Sequence, residues 1–270
     1  MSNDVLDQMK LVAPYFLFLL GACIGSFANV VIYRLPLEKS VVLPGSHCGA
    51  CGKPVRWYNN IPILSWFLLR GKCAECGAKF SFRYCFVEIL TAALFVGAWY
   101  TVGPSWFLIE VLIFFSTLVI CSFIDIDHFI LPDIFTLSGI LIGLFGALIN
   151  PERSFLDAFL GVLFGGGFLW AIAYFYFLVR KEEGMGGGDI KLLAWIGAIL
   201  GWKAIAFVII SSSVIGSVFG IWAALRSKKG MKTVIPYGPY LALGSVLWIY
   251  GGESLGLWYL KLFLPFLENS

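Results

Sequence analysis

Residues 106–124 read WFLIEVLIFFSTLVICSFI, nineteen positions with one charged side chain, Glu110, and the next residue, Asp125, closes the run. A stretch of that length crosses a hydrocarbon core of ~30 Å, which takes about 20 helical residues. Comparable runs begin near Leu11, Tyr84, Ile134, Ala158, Ile190, Ala204 and Pro239. The chain therefore reads as an all-α polytopic membrane protein with about eight transmembrane helices. The run from Ile190 to Trp202 is short for a span, and Gly201-Trp202-Lys203 reads either as a turn or as a kink, so seven spans is the competing count. Composition agrees: of 270 residues 60% are hydrophobic and 13% charged, against roughly 25% charged in a soluble domain. The 17% aromatic content excludes a disordered chain, and a net charge of only +3 gives no reason to expect nucleic acid as a partner.

Charge asymmetry orients the spans. If the N-terminus is outside, the loops 34–83, 125–133, 180–189 and 225–238, with Lys191, fall on one side and hold 15 of the 19 Lys and Arg residues, leaving Lys10, Arg153, Lys203 and Lys261 on the other. The positive-inside rule places the rich side in the cytoplasm. This gives a first transmembrane helix at 1–33, a cytoplasmic four-cysteine region at 34–83 and a helical core at 84–270.

That cytoplasmic region carries Cys48-Gly49-Ala50-Cys51 and Cys73-Ala74-Glu75-Cys76, two CxxC pairs 21 residues apart. Each pair aims both sulfurs at one centre, and two pairs close a tetrahedral thiolate shell suited to structural zinc. A region of about fifty residues is too small for a core of its own, so a metal clip is a sound way to fold it. Gly49, Gly52, Gly71 and Gly77 flank the sulfurs, as tight turns require. Two disulfides are the alternative, and they would need the opposite topology. His47 adjoins Cys48 but is not needed where four thiolates complete the shell. Cys23, Cys85 and Cys121 lie in or beside apolar runs and read as small hydrophobes.

Ionisable groups at the edge of a span are candidates for function. Asp125 ends one run; Asp189 opens another, directly after Gly184-Met185-Gly186-Gly187-Gly188. Both lie at the cytoplasmic edge in the topology above. Two carboxylates sharing a site hold one proton between them, so one can take a proton from water while the other donates to a carbonyl oxygen. The glycines, Gly186 and Gly188 among them, allow close backbone approach to an extended substrate. The competing reading makes Asp189 an N-cap, and Asp133, after Pro132, reads as an N-cap too. Asp127 falls on nearly the opposite helix face from Asp125 and reads as supporting. His128 reads as interfacial. Glu110 snorkels from near the outer end of its span. Glu88 and Lys191, near the cytoplasmic edge, can support a site.

These motifs resemble the bacterial prepilin peptidases, the bifunctional leader peptidases and N-methyltransferases of type IV pilus and type II secretion systems. GACIGSFANVVIYRLP looks like the family's first helix, and SHCGACGKPVRWYNNIPILSWFLLRGKCAECGAKFSFRYCFVEILTA like its cysteine region. FIDIDHFILPD resembles the segment with the first catalytic aspartate, matching Asp125; GMGGGDIKLLAWIGAILGW resembles the GxGD segment, matching Gly186, Gly188 and Asp189; IPYGPYLALG resembles the last cytoplasmic loop. The resemblance implies an aspartic endopeptidase of the bacterial inner membrane, with its site facing the cytoplasm. Its substrates would be prepilins and pseudopilins, cut after a glycine beside a hydrophobic helix, with the new N-terminus methylated from S-adenosylmethionine. No strand followed by GxGxxG marks a methyl-donor site; Glu88, Arg34 and the cysteine region are candidates by position. A proton-coupled transporter using Asp125 and Asp189 is the second reading, though neither an internal repeat nor a mid-span charge pair supports it.

The topology is checked by a membrane-impermeant thiol reagent on intact cells. A single cysteine at Ser154 is expected to react and one at Ser227 to be spared; the reverse pattern overturns the orientation.

Overall fold

Helix is the only backbone geometry that satisfies a long apolar run internally, and helices dominate here. The computed structural model describes residues 3–182, 186–226, 235–252, 254 and 255. Among these residues nine α-helices follow in order: α1 (Asn3–Arg34), α2 (Leu64–Leu68), α3 (Phe82–Val102), α4 (Trp106–His128), α5 (Asp133–Ile149), α6 (Phe155–Arg180), α7 (Gly187–Leu200), α8 (Trp202–Arg226) and α9 (Gly238–Leu247). No β-strand occurs among them; His47 with Pro54 and Lys72 with Lys79 form isolated bridges. Local signals set the ends. The Ser105 hydroxyl caps α4 by accepting from Leu108 N, and Ser154 caps α6 through Asp157 N. Phe129 and Lys181 stop α4 and α6 in the left-handed region.

Among the described residues five helical segments are long and apolar enough to cross a membrane: Lys10–Leu37, Phe82–Val102, Trp106–His128, Phe155–Arg180 and Trp202–Arg226. The chain is thus a multi-pass helical membrane protein. Gly201, at φ +78, separates α7 from α8, so the break there is a turn and not a kink. With 14 residues, α7 is about 21 Å long, short of a full core.

The chain divides into two compact units, residues 1–100 with 115–120, and residues 101–114 with 121–270; α4 contributes to both. In the first, α1 and α3 meet through a GxxxG step. A β-carbon at Gly21 would lie 2.7 Å from the Ala92 Cα, and one at Gly25 would lie 2.7 Å from the Glu88 Cα. Asn29 Nδ2 donates to the Tyr84 carbonyl at 3.0 Å beside them.

In the second unit α7 is the central element, with every residue from Leu192 to Ile199 buried. Glycine stripes on two neighbours grip it. On α5, Gly139 faces the Trp195 ring and Gly143 faces Ala198; on α6, a β-carbon at Gly165 would lie 2.5 Å from the Leu193 carbonyl oxygen. The tightest point is reciprocal: a β-carbon at Gly161 would stand 2.1 Å from the Gly197 carbonyl oxygen, and one at Gly197 would stand 2.1 Å from that of Gly161. Any larger residue at either position forces α6 and α7 apart.

Gly161→Val is therefore expected to destabilise the protein by about 1–3 kcal/mol or more, seen as a lower thermal midpoint in detergent. Gly167→Ala on the same helix, with nothing within 4 Å of its β-carbon, is expected to be neutral or stabilising by up to about 1 kcal/mol.

Candidate active site and metal centre

Asp125 lies in the last turn of α4 and is only 5% exposed. One of its oxygens is fixed: the Gly238 amide donates to Oδ2 at 3.0 Å. Gly238 opens α9 ahead of Pro239, and it must be glycine, because a β-carbon there would lie 2.7 Å from that oxygen. Asp189, half-buried in the first turn of α7, is close enough to Asp125 for the two charges to interact. Leu131 bridges the two helix ends. A β-carbon at Gly188 would lie 2.8 Å from its Cβ, and one at Gly238 would lie 3.2 Å from its Cδ2. The structure thus brings together the two carboxylates that stand 64 residues apart in sequence, adding the Gly238 amide as a third polar partner.

The N-cap expectation for Asp133 is corrected, and the competing N-cap reading of Asp189 falls. The N-cap of α7 is Gly186, which makes no side-chain cap bond, and Asp189 follows as the third helical residue. The N-cap of α5 is Pro132; Asp133 is the first helical residue, and its carboxylate accepts from Lys191 Nζ at 2.7 Å. Lys191 is thereby committed to tying α5 to α7. Asp127 and His128 are exposed, and Asp127 points away from the buried Asp125 as its two-residue offset requires. Of the glycines ahead of Asp189, Gly188 is demanded by packing, whereas Gly186 and Gly187 have open space around them. Gly184 and Met185 lie outside the described residues.

Glu110 forms a largely buried pair with Arg153, whose guanidinium also donates to the Gly143 carbonyl at 3.1 Å and to the carbonyls of Ala198 and Ile199, the latter at 2.9 Å. Asn150 Nδ2 completes the cluster by donating to Glu110 Oε1 at 3.1 Å. Glu88, 8% exposed, is equally engaged: its Oε2 accepts from the Ile63 amide at 2.6 Å.

Cys48, Cys51, Cys73 and Cys76 place their four sulfurs within 4.8 Å of one another, and Cys48 Sγ and Cys76 Sγ are 3.8 Å apart. The sulfurs of a tetrahedral site with bonds of about 2.3 Å stand about 3.8 Å apart, so the donor set fits a metal ion. The two knuckles share one backbone design. Cys48 N donates to Lys53 O at 2.9 Å and Gly52 N to Cys48 O at 2.8 Å; Cys73 N donates to Ala78 O at 2.8 Å and Gly77 N to Cys73 O at 3.0 Å. Gly52 and Gly77 both sit at positive φ, while Gly49 carries no such demand. Backbone amides of Cys51 and Ala50 draw the Cys48 thiol down to about 6, toward the thiolate that a metal needs. Glu75 of the second knuckle pairs with Lys53 of the first at 3.0 Å and with Arg56 at 3.8 Å. His47 faces the Gly45 carbonyl, in an exposed position.

Comparison with known proteins agrees with this layout. Residues 19–102 match the family described as Bacterial Peptidase A24 N-terminal domain, and residues 112–221 match the Type IV leader peptidase family. The chain is 39% identical over 271 residues to a prepilin leader peptidase/N-methyltransferase of Aeromonas hydrophila, an alignment covering 92% of this chain and 93% of that protein. It is 39% identical over 255 residues to the Myxococcus xanthus protein of the same name, covering 93% and 76%, and 35% identical over 281 residues to that of Pseudomonas aeruginosa, covering 96% and 97%. No solved structure gives a significant match.

The four-cysteine geometry predicts one tightly held metal ion per chain in the purified protein. Elemental analysis of wild type and of a Cys48→Ser, Cys76→Ser double variant is expected to give about one ion and close to none. Wild-type protein with four free thiols and no ion removes the site.

Proposed function

The chain belongs to the prepilin leader peptidase/N-methyltransferase family, and on that premise we propose that Asp125 and Asp189 are the catalytic pair of its leader-peptide cleavage. The observation that carries this reading is the buried Asp125 carboxylate, held by the Gly238 amide with Asp189 in electrostatic reach. Two carboxylates so close share one proton. The ionised member takes a proton from water, whose oxygen attacks the scissile carbonyl carbon. The protonated member donates to the carbonyl oxygen. Collapse of the tetrahedral intermediate then breaks the C–N bond as a proton passes to the leaving amine. The Gly238 N–H fixes one Asp125 oxygen, leaving the other for water or substrate. Gly188 keeps the start of α7 against Leu131, and the Lys191–Asp133 pair holds α7 to α5; both position Asp189 and do not touch the reacting atoms. Gly186 and Gly187, with open space around them, leave room for an extended substrate to approach Asp189.

The substrates are prepilins and pseudopilins, cut at the cytoplasmic face of the inner membrane, where a substrate helix enters the bilayer at the depth of the aspartates. This reading counts the shorter α5, α7 and α9 as membrane helices beside the five longer ones, eight in all, with the bilayer thinned locally where they fall short of a full core. The metal of the four-cysteine site is zinc, which supplies a structural clip, its shell closed by Cys48, Cys51, Cys73 and Cys76. Methylation draws on S-adenosylmethionine as methyl donor; a strand feeding a glycine-rich turn is not found among the described residues, so no step is built on that group. A proton-coupled transporter using the same aspartates finds no support in the family matches.

Asp125→Asn and Asp189→Asn are each expected to lower leader cleavage by at least about 10³-fold, the scale on which an acid–base partner acts. Methylation of an already cleaved, unmethylated pilin by the same variants, supplied with labelled S-adenosylmethionine, should persist. Retained cleavage in either variant removes that residue from the pair, and loss of methyl transfer from both, in folded protein, means that the two reactions share the carboxylates.

A further inference from the structure

The segment 61–68 belongs to neither site, yet its backbone is tied into a transmembrane helix. Ile63, a β-branched residue, sits at φ +64 and ψ −58, a γ-turn conformation that is rare and strained for such a side chain. The turn is closed by Leu64 N donating to the Pro62 carbonyl at 2.6 Å, and the Ile63 N–H is held by Glu88 at 2.6 Å. Glu88 stands six residues into α3, a helix of 21 residues. At 1.5 Å per residue that is about 9 Å along a span whose length of about 31 Å matches a hydrocarbon core of ~30 Å. A glutamate side chain leans toward its helix N-terminus but reaches only a few ångströms. Ile63 is therefore held beside the second turn of α3, at the end of that span from which the four-cysteine region leads in.

The one-turn helix α2 that follows turns its apolar side chains outward: Leu64 is 58% exposed, Phe67 56% and Leu68 79%. Trp66 packs back onto Phe82, the first residue of α3, with ring centroids 5.1 Å apart. The backbone is closed on itself, with Ser65 N bonded to Ile61 O at 3.0 Å, Leu69 N to Ser65 O at 3.0 Å and Gly71 N to Trp66 O at 2.8 Å. A loop in water has no need of this; a non-helical segment at membrane depth does. Between residues 34 and 83 there are eight Lys or Arg against two Glu, a charge that suits anionic headgroups and repels a cationic peptide.

We infer that residues 61–68 form a re-entrant anchor whose Leu64, Phe67 and Leu68 insert among the acyl chains of the leaflet that α3 enters, with the surrounding basic residues resting on anionic phospholipid headgroups. Such an anchor fixes the metal-bearing loop against the bilayer surface. The test places a nitroxide on single cysteines at Leu64, Leu68 and, as the aqueous reference, Lys53. It uses the full-length, metal-loaded protein with Cys23, Cys85 and Cys121 replaced by Ala, in vesicles of phosphatidylethanolamine and phosphatidylglycerol. One metal ion per chain confirms that each labelled protein is folded. Labels at Leu64 and Leu68 are expected to collide with oxygen several-fold more, relative to a water-soluble nickel chelate, than the Lys53 label does. In phosphatidylcholine alone the two labels should move toward the water. Collision ratios equal to that at Lys53, or shielding from both reagents as a second copy or another protein would produce, overturn the anchor. An unchanged depth in phosphatidylcholine removes the role of the anionic headgroups.

Discussion

The backbone contact between Gly161 of α6 and Gly197 of α7 is the constraint on which the second unit depends. Among lipid tails there is no hydrophobic gain from pressing two apolar helices together, so their attachment rests on close packing and on what small residues permit. Here the permission is concentrated on one helix. Glycines of α5 and α6 let both neighbours close on α7, which is buried from Leu192 to Ile199 although its length is less than a full membrane core. A short, fully enclosed helix can begin at a defined depth inside the protein, and Asp189 stands at that beginning.

The two ends of α7 are treated in opposite ways. At its C-terminus Arg153 meets a carboxylate and three carbonyl oxygens, while Asn150 supplies a further donor to Glu110. A buried charge pair is tolerable when its remaining donors and acceptors are satisfied, and here the guanidinium also neutralises the negative end of the helix. At its N-terminus Asp189 lies in electrostatic reach of Asp125, whose carboxylate receives a backbone amide. A pair of carboxylates placed together in a desolvated setting is costly for stability. Lys191, two residues along, could have neutralised it, but the structure spends that cation on Asp133 at 2.7 Å.

Much of this was legible in the sequence, for reasons that differ by feature. The apolar runs revealed the long helices because length and polarity are sufficient for a span, and the cysteine spacing revealed the metal site because CxxC constrains sulfur geometry locally. Asp125 and Asp189 stood out because charges at span ends are rare. Pairings that depend on how helices dock were less legible. Nothing in GPY marks Gly238 as the amide donor to Asp125, since that bond depends on where α9 docks; the sole local signal is a glycine ahead of a proline at a helix start. Asp133 was misread as a cap because the true N-cap, Pro132, makes no side-chain bond and so leaves no residue-type signature. The pairing of Glu110 was hidden in the same way, since Arg153 arrives from 43 residues away.

The first unit reaches order by another route. A loop of this size cannot bury enough surface to offset its chain entropy, and it holds three substitutes for a core. The repeated Cys-x-x-Cys-Gly step builds the same hydrogen-bonded turn twice, so one backbone solution supplies all four sulfurs. The Glu75 pairs with Lys53 and Arg56 join the two turns at the surface, where such contacts align more than they stabilise. Glu88 then fastens the connecting segment to α3 through one backbone amide in a desolvated setting, where the loss of a partner leaves that N–H unsatisfied. Because α1 lies on α3 through Gly21 and Gly25, the latter against the Cα of Glu88 itself, the glycine step between two spans also sets where the loop is tied down.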